Sequence, residues 1–371
     1  MKALILAGGR GVRLGKITQK NPKPMLKIGG LPILEHQINL LKRYGFKEVV
    51  ILTHYLSGII EKYFKDGRAW GIKISYFREE KPLGTTGGIK TIENKLKNDF
   101  LVLYGDKMLD IDLAKLVVFH KNKKSDCTIA LHPTDHMQDS DLVEIDKNQK
   151  ITAFHPKPHS PNQYFKNLVS TAVYIMSPKI LKHVKRGKKA DFGKDIFPKI
   201  VKKEALYGYL TAEYIKDIGT PARLEEARKD YQTGKIKRLN KKNKRRAVFL
   251  DRDGTISRTP YEVFHPGDFK LFPQSTPAIK KINESEFLAI VITNQPAIAK
   301  GFCSIDDVAL THRKMETVLS EKEAKLDGIY FCLHHPDKGF EGERPEYKIK
   351  CSCRKPKIGL LKKAARDFNI D

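Results

Sequence analysis

No apolar run in the 371-residue sequence approaches the length of a bilayer span. Met1 leads straight into a short apolar run without a secretory leader, so the expected compartment is the cytoplasm. Cysteine is scarce and odd in number, with five residues at Cys127, Cys303, Cys332, Cys351 and Cys353, which argues against a disulfide framework. Acidic residues are also short, 43 against 70 Lys and Arg, for a formal charge of +27. That excess would ordinarily point to nucleic acid. Here it is mostly lysine scattered along the chain, concentrated only at 235–246, and no reading helix or aromatic-rich sheet motif accompanies it. Nucleic acid and membrane are therefore not expected partners, and phosphorylated substrates account for part of the charge. At 40% apolar and 9% aromatic residues the chain can build two domains with cores.

Two familiar phosphate loops are missing near the start, where neither a Gly-Lys-Ser/Thr nor a Gly-x-Gly-x-x-Gly pattern occurs. In their place the apolar run 3–7 breaks into Gly8, Gly9 and Gly11, with Leu6 and Ala7 leading in. A buried strand entering such a turn brings backbone close to a phosphate chain, and Arg10, Arg13 and Lys23 add fixed positive charge. Downstream, helical and strand patterns alternate: helix over 33–44, strand over 48–53, helix over 56–64, strand over 72–77, strand over 100–104. The fold class expected is α/β, with a mixed, mainly parallel Rossmann-like sheet and ligands at the carboxyl ends of its strands.

Gly-Gly-x-Gly-x-Arg-Leu followed by Pro-Lys-Pro resembles the signature of the sugar nucleotidyltransferases, with Val12 where Thr is usual. Pro-Leu-Gly-Thr-Thr-Gly at 82–87 is similar to that family's Pro-Leu-Gly-Thr-x-Gly, which implies that Gly84, Thr85 and Gly87 hold nucleobase and ribose beside Leu6, Ala7, Gly8, Gly9 and Gly11. Gly105-Asp106 and the Asp217-Ile-Gly-Thr-Pro run resemble its two magnesium carboxylates, Asp106 and Asp217. The resemblance implies transfer of a nucleotidyl group from a nucleoside triphosphate to a sugar 1-phosphate, with Arg13 and Lys23 on the phosphates. Lys157-Pro158 matches a sugar-contacting Glu-Lys-Pro, although Pro156 replaces the Glu; Ser170 and Ala172 replace an Asn and a Gly. Those departures leave the sugar open more than the reaction. A homo-oligomer is compatible with the sequence.

The domains expected are 1–233, a basic solvated linker at 234–246, and 247–371. The last begins with an apolar strand ending Asp251-Arg-Asp253-Gly-Thr, two carboxylates that can divide nucleophile and proton-transfer roles. Cys332-x-His334 and Cys351-x-Cys353 form a plausible closed zinc site. Together with Thr293-Asn294-Gln295 and Arg354-Lys355-Pro356 these resemble the haloacid dehalogenase (HAD) phosphatases, and in particular the heptose bisphosphate phosphatases. That resemblance implies Asp251, Asp253, Thr293 and Lys355 as catalytic groups, magnesium at Asp251 and Asp253, structural zinc, and Asn294 and Arg354 on the substrate. His335 is by that resemblance not a zinc ligand. The family's fourth motif, a strand ending Gly-Asp, does not appear before Asp371, so an incomplete domain with impaired turnover is expected. The pairing of domains suggests D-glycero-D-manno-heptose 1-phosphate and a guanylyl donor for surface polysaccharide synthesis. Mannose or glucose 1-phosphate, or a non-catalytic nucleotide-binding module, are the alternatives.

Overall fold

The computed structural model describes residues 1–160, 163–258 and 265–371. It divides into two compact units: Met1–Leu131, Ile145–Phe154 and Ser170–Asn240 form one, and His132–Glu144, His155–Val169 and Lys241–Asp371 form the other.

The first unit is built on strands that read as uninterrupted apolar runs because both of their faces are covered. β1 (Lys2–Leu6) lies between β2 (Glu48–Thr53) and β4 (Phe100–Tyr104), parallel to both, and β3 (Lys73–Arg78) extends the sheet beyond β2. α1 (Ile33–Arg43) buries Ile33, Leu34, Ile38, Leu40 and Leu41 at helical spacing. Its core joins Ala3, Ile5, Val49, Ile51, Leu101 and Leu103. α2 (Ser57–Phe64) fills the next crossover. The parallel order ends where β7 (Val169–Met176) joins β4 antiparallel, and β6 (Cys127–His132) pairs with β7 and, in parallel, with β8 (Leu206–Leu210).

A separate antiparallel pair, β5 (Lys107–Asp110) with β9 (Tyr214–Asp217), sets Asp217 opposite Lys107. α3 (Leu113–Asn122) starts on Asp112, whose carboxylate accepts from the Lys115 N–H. α4 (Pro221–Gln232) starts with Thr220 as cap and Pro221 in the first turn, as Thr-Pro dictates.

The second unit carries a three-stranded parallel sheet in the order β10 (Ala247–Leu250), β11 (Leu288–Asn294), β12 (Gly328–Cys332). α5 (Ser275–Glu284), α6 (Ile305–Ser320) and α7 (Gly359–Phe368) accompany it, α6 opening with a capping box between Ser304 and Asp307. Its core includes Ile256, Ile279, Val291, Met315 and Leu319.

Residues 234–246 are not the solvated tether expected from their charge. Lys235–Arg238 is a helical turn that buries Ile236, Leu239 is also buried, and the Asn240 amide donates to Asp110 Oδ1 at 2.7 Å. Arg245 is 2% exposed, with its guanidinium bonded to the Phe368 carbonyl. Ile236, Leu239 and Asn240 anchor its first part within the first unit, and Arg245 anchors its last part within the second. No helix among the described residues is long and apolar enough to cross a membrane.

Candidate active site

Backbone geometry accounts for the glycine turn. Gly11 has φ +66°, and a Cβ there would sit 3.1 Å from Thr18 Cγ2, so a side chain would be both strained and crowded. The Thr18 hydroxyl donates to the Gly11 carbonyl at 3.1 Å and ties the turn to the 12–18 segment that follows. Behind it, the Ala7 N–H reaches the Leu52 carbonyl and the Gly105 N–H the Leu6 carbonyl, both at the carboxyl end of the sheet. The turn, Gly105 and Asp106 therefore share one rim.

The same rim gathers charge. Lys23 Nζ lies 2.7 Å from Asp106 Oδ2 and 3.2 Å from Asp217 Oδ1, with its side chain only 8% exposed. Lys107 Nζ approaches Asp217 Oδ2 to 3.5 Å and Arg13 Nη2 to 3.9 Å. The Ile218 N–H, donating to the Asp106 carbonyl at 3.2 Å, holds the two acidic segments together. Burial alone would raise the Asp217 carboxyl, but Lys107, Lys23 and Arg223 outweigh it and hold the group below its ordinary range. Asp106 Oδ1 is buried without a hydrogen-bond partner. An orphaned carboxylate oxygen beside a second carboxylate is the donor set a hard cation takes, so Asp106 and Asp217 fit a magnesium ion.

The Pro-Leu-Gly-Thr segment is held as much by packing as by any ligand it serves. Gly84 has φ +76°, and a Cβ there would lie 2.2 Å from the Ala190 carbonyl oxygen. Thr85 Oγ1 donates to Asp191 Oδ2 at 2.9 Å and accepts the Phe192 N–H at 2.9 Å. Gly87 opens the short helix Gly87–Thr91. Glu79, which the sequence motifs do not single out, follows β3 directly and has one buried oxygen without a hydrogen-bond partner; burial raises its carboxyl. Ala172 adopts φ +63°, a left-handed conformation in keeping with a position where relatives of the expected family have glycine.

In the second unit Lys355 Nζ pairs with Asp251 Oδ2 at 2.5 Å and donates to the Ile292 carbonyl at 3.1 Å. The Asn294 side chain brackets the Lys355 backbone, accepting its N–H at 3.0 Å and donating to its carbonyl at 3.3 Å. Thr293 accepts from Gln295 Nε2 at 3.0 Å. Arg354 Nη1 donates to the His334 carbonyl at 3.4 Å. The expected residues are thus brought together, and the residue between the two aspartates ties Asp253 to two further side chains.

Arg252 is fully buried; its Nε and Nη2 each lie 2.9 Å from an oxygen of Asp253, and Nη2 also donates to Gln295 Oε1 at 2.6 Å. Arg252 Nη1 faces His312 Nε2 at 3.2 Å, and burial together with the Arg252 charge pushes that imidazole down to about 3, so it is the neutral acceptor. Arg252, Gln295 and His312 were missed as site residues. An arginine between two aspartates reads as a surface residue until its burial is known.

Cys332, His334, Cys351 and Cys353 offer ligand atoms that all lie within 4.8 Å of one another. Cys353 Sγ is 3.1 Å from Cys332 Sγ, 3.3 Å from Cys351 Sγ and 3.2 Å from His334 Nδ1. Sulfurs around a tetrahedral zinc lie about 3.8 Å apart, so a small outward adjustment fits these donors to that ion. All five cysteines are free thiols, and His335 stands outside the cluster, its Nε2 facing Asp337 at 3.7 Å.

Comparison with known proteins identifies the family of residues 2–234. The profile described as nucleotidyl transferase matches residues 2–234, and the chain belongs to that family. It is 33% identical over 222 residues to the mannose-1-phosphate guanylyltransferase of Mycobacterium tuberculosis, covering 59% of this chain and 61% of that protein. It is 32% identical over 233 residues to the D-glycero-alpha-D-manno-heptose 1-phosphate guanylyltransferase of Aneurinibacillus thermoaerophilus, covering 62% of this chain and 99% of that protein. The chain thus spans about three fifths of the first of these relatives and nearly all of the second. Among solved structures it is similar to HddC from Yersinia pseudotuberculosis complexed with GMP-PN, at TM-score 0.54 and 26% identity, covering 62% of this chain and 99% of that one.

Proposed function

We propose that the protein transfers a nucleoside monophosphate from a nucleoside triphosphate to a sugar 1-phosphate and releases pyrophosphate. The observation that carries this is the convergence of Lys23, Asp106, Asp217 and Arg13 on the rim of the glycine turn. An oxygen of the sugar phosphate bonds to the α-phosphorus while the bond from that phosphorus to pyrophosphate breaks in line. The attacking oxygen is already anionic, so no base is required, and the protein's part is positioning and charge neutralisation. Lys23 and Arg13 hold phosphate oxygens; the turn around Gly8, Gly9 and Gly11 admits the chain of phosphates. Asp106 and Asp217 would hold magnesium, which supplies charge neutralisation between the phosphates.

GTP as donor and D-glycero-D-manno-heptose 1-phosphate as acceptor are the finer reading, supported by the heptose relative and by HddC bound to GMP-PN. Mannose 1-phosphate is the second reading, favoured by the mycobacterial relative. The second unit we read as a HAD-type phosphatase relative of impaired turnover, with Asp251 as nucleophile, Lys355 and Thr293 on phosphate, and zinc on Cys332, His334, Cys351 and Cys353.

The test is pyrophosphate release with magnesium, crossing the common nucleoside triphosphates against heptose, mannose and glucose 1-phosphates. Turnover confined to the heptose phosphate and GTP supports the finer reading. Turnover with another sugar keeps the reaction and replaces the acceptor. Nucleotide binding without turnover on any sugar refutes the enzymatic reading.

A further inference from the structure

The glycine turn occupies the carboxyl end of the first unit's parallel strands; their amino ends carry a different concentration of charge. A cavity of about 460 Å³ opens where β1, β2 and β4 begin, between the stretches 1–2, 45–48 and 95–99. Lys2, Lys47, Lys95 and Lys97 line it, together with the acids Glu48 and Asp99. Both acids are engaged: Glu48 Oε2 pairs with Lys2 Nζ at 3.4 Å, and Asp99 Oδ2 faces His120 Nε2 at 3.3 Å. Lys2 Nζ also donates to the Lys95 carbonyl at 3.3 Å, which holds that lysine within the wall. Lys47, Lys95 and Lys97 have no ion-pair partner among the described residues.

Those three lysines are exposed, but the backbone that carries them is fixed. Phe46 and Leu96 are buried, so Lys47 follows one core anchor while Lys95 and Lys97 flank another. The Phe46 N–H reaches the Leu41 carbonyl at 3.0 Å, the Leu96 N–H the Glu93 carbonyl at 3.0 Å, and the Lys47 carbonyl accepts the Lys73 N–H at 2.9 Å. Gly45, at φ +77°, makes the turn from α1 toward β2. Cations held around a concavity without acids to balance them set up a positive potential that the protein wall focuses and an anion from solution relieves. Lysine ammonium groups suit phosphate as point charges, and several of them together suit more than one negative charge. We propose that this cavity is an anion site, separate from the rim of the glycine turn, that takes a small molecule carrying two or more phosphate charges. The site stands apart from the nucleotidyl-transfer reading and does not depend on it.

The test titrates the full chain with inorganic pyrophosphate, without magnesium, and follows backbone amide chemical shifts. Saturable shifts are expected at 45–48 and 95–99, read separately from any at 8–13 on the rim. In Lys47→Ala/Lys97→Ala the half-saturating concentration at 45–48 and 95–99 should rise about tenfold or more, while that at 8–13 stays within about twofold. Lys188→Ala/Lys202→Ala, which removes exposed lysines that do not line the cavity, should change neither. All four side chains are exposed, so the fold is not at stake in either variant. Absent or non-saturating shifts at 45–48 and 95–99, or equal weakening in the two double variants, would overturn the proposal, the last because net charge alone would then attract the probe. Saturable shifts there with a nucleoside triphosphate or with a sugar bisphosphate would each support it and show which of them brings the phosphates.

Discussion

Glu316 is 8% exposed on the buried face of α6, and burial pushes its carboxyl from an ordinary 4.5 up to about 7, against the opposing pull of Lys166, the Asn167 N–H and Arg313. The folded chain therefore holds this proton more tightly than the unfolded chain does. Below pH 4.5 both states are protonated and the stability is fully present. As pH rises from 4.5 to 7 the unfolded carboxyl ionises first, and stability falls by about 1.4 kcal/mol per pH unit, levelling off above 7 at a loss of about 3 kcal/mol. Glu316→Gln keeps an acceptor for Asn167 and removes the ionisation. Denaturant unfolding of both chains between pH 4 and 8 isolates the effect, because every other titrating group cancels in the difference. The variant should match the wild type near pH 4 and exceed it by about 3 kcal/mol at pH 8. A difference that does not change with pH, or a wild type that gains on the variant as pH rises, would refute the argument that this carboxyl is buried without adequate compensation.

Lys23→Met should lower kcat/KM for pyrophosphate release by about 10²–10³, because it removes a mostly buried cation that touches both Asp106 and Asp217; initial rates at saturating magnesium check this. Cys353→Ser should abolish bound zinc in elemental analysis of the purified chain and lower the melting temperature, since Cys353 lies within 3.3 Å of the other three donors. Ala172→Gly should raise stability by about 1 kcal/mol, because it relieves a left-handed alanine at φ +63°; thermal unfolding measures it, and a destabilised variant would mean that the buried methyl contributes more than the strain costs.

The elements readable in the sequence were those whose burial is uniform along the strand or periodic along the helix. The runs at 48–53 and 100–104 became β2 and β4 residue for residue, and the helix expected over 33–44 became Ile33–Arg43. The stretch after the Pro-Leu-Gly-Thr segment has no such regularity: it divides into the short helix Gly87–Thr91 and a 3-10 turn at Glu93–Lys95. Asp106 and Asp217 stood out by motif, but their union depends on the antiparallel pairing of β5 with β9, a long-range register that local pattern does not encode. Likewise Thr134, Asn167 and Ser320 are small polar residues that read as loop or surface. They proved to be buried bonding partners because segments far apart in the chain meet there. The basic run at 235–246 misled for the converse reason, since its many lysines hid the few residues that anchor it.

Lys23 gives the rim of the glycine turn a built-in counter-ion. With its ammonium between Asp106 and Asp217, and with Lys107 and Arg13 also facing Asp217, the two carboxylates are balanced by cations of the chain itself, and their mutual repulsion does not open the fold around them. A triphosphate bound at the rim would offer the Lys23 ammonium a further set of anions, so the same cation that holds the two carboxylates together is placed to meet the substrate.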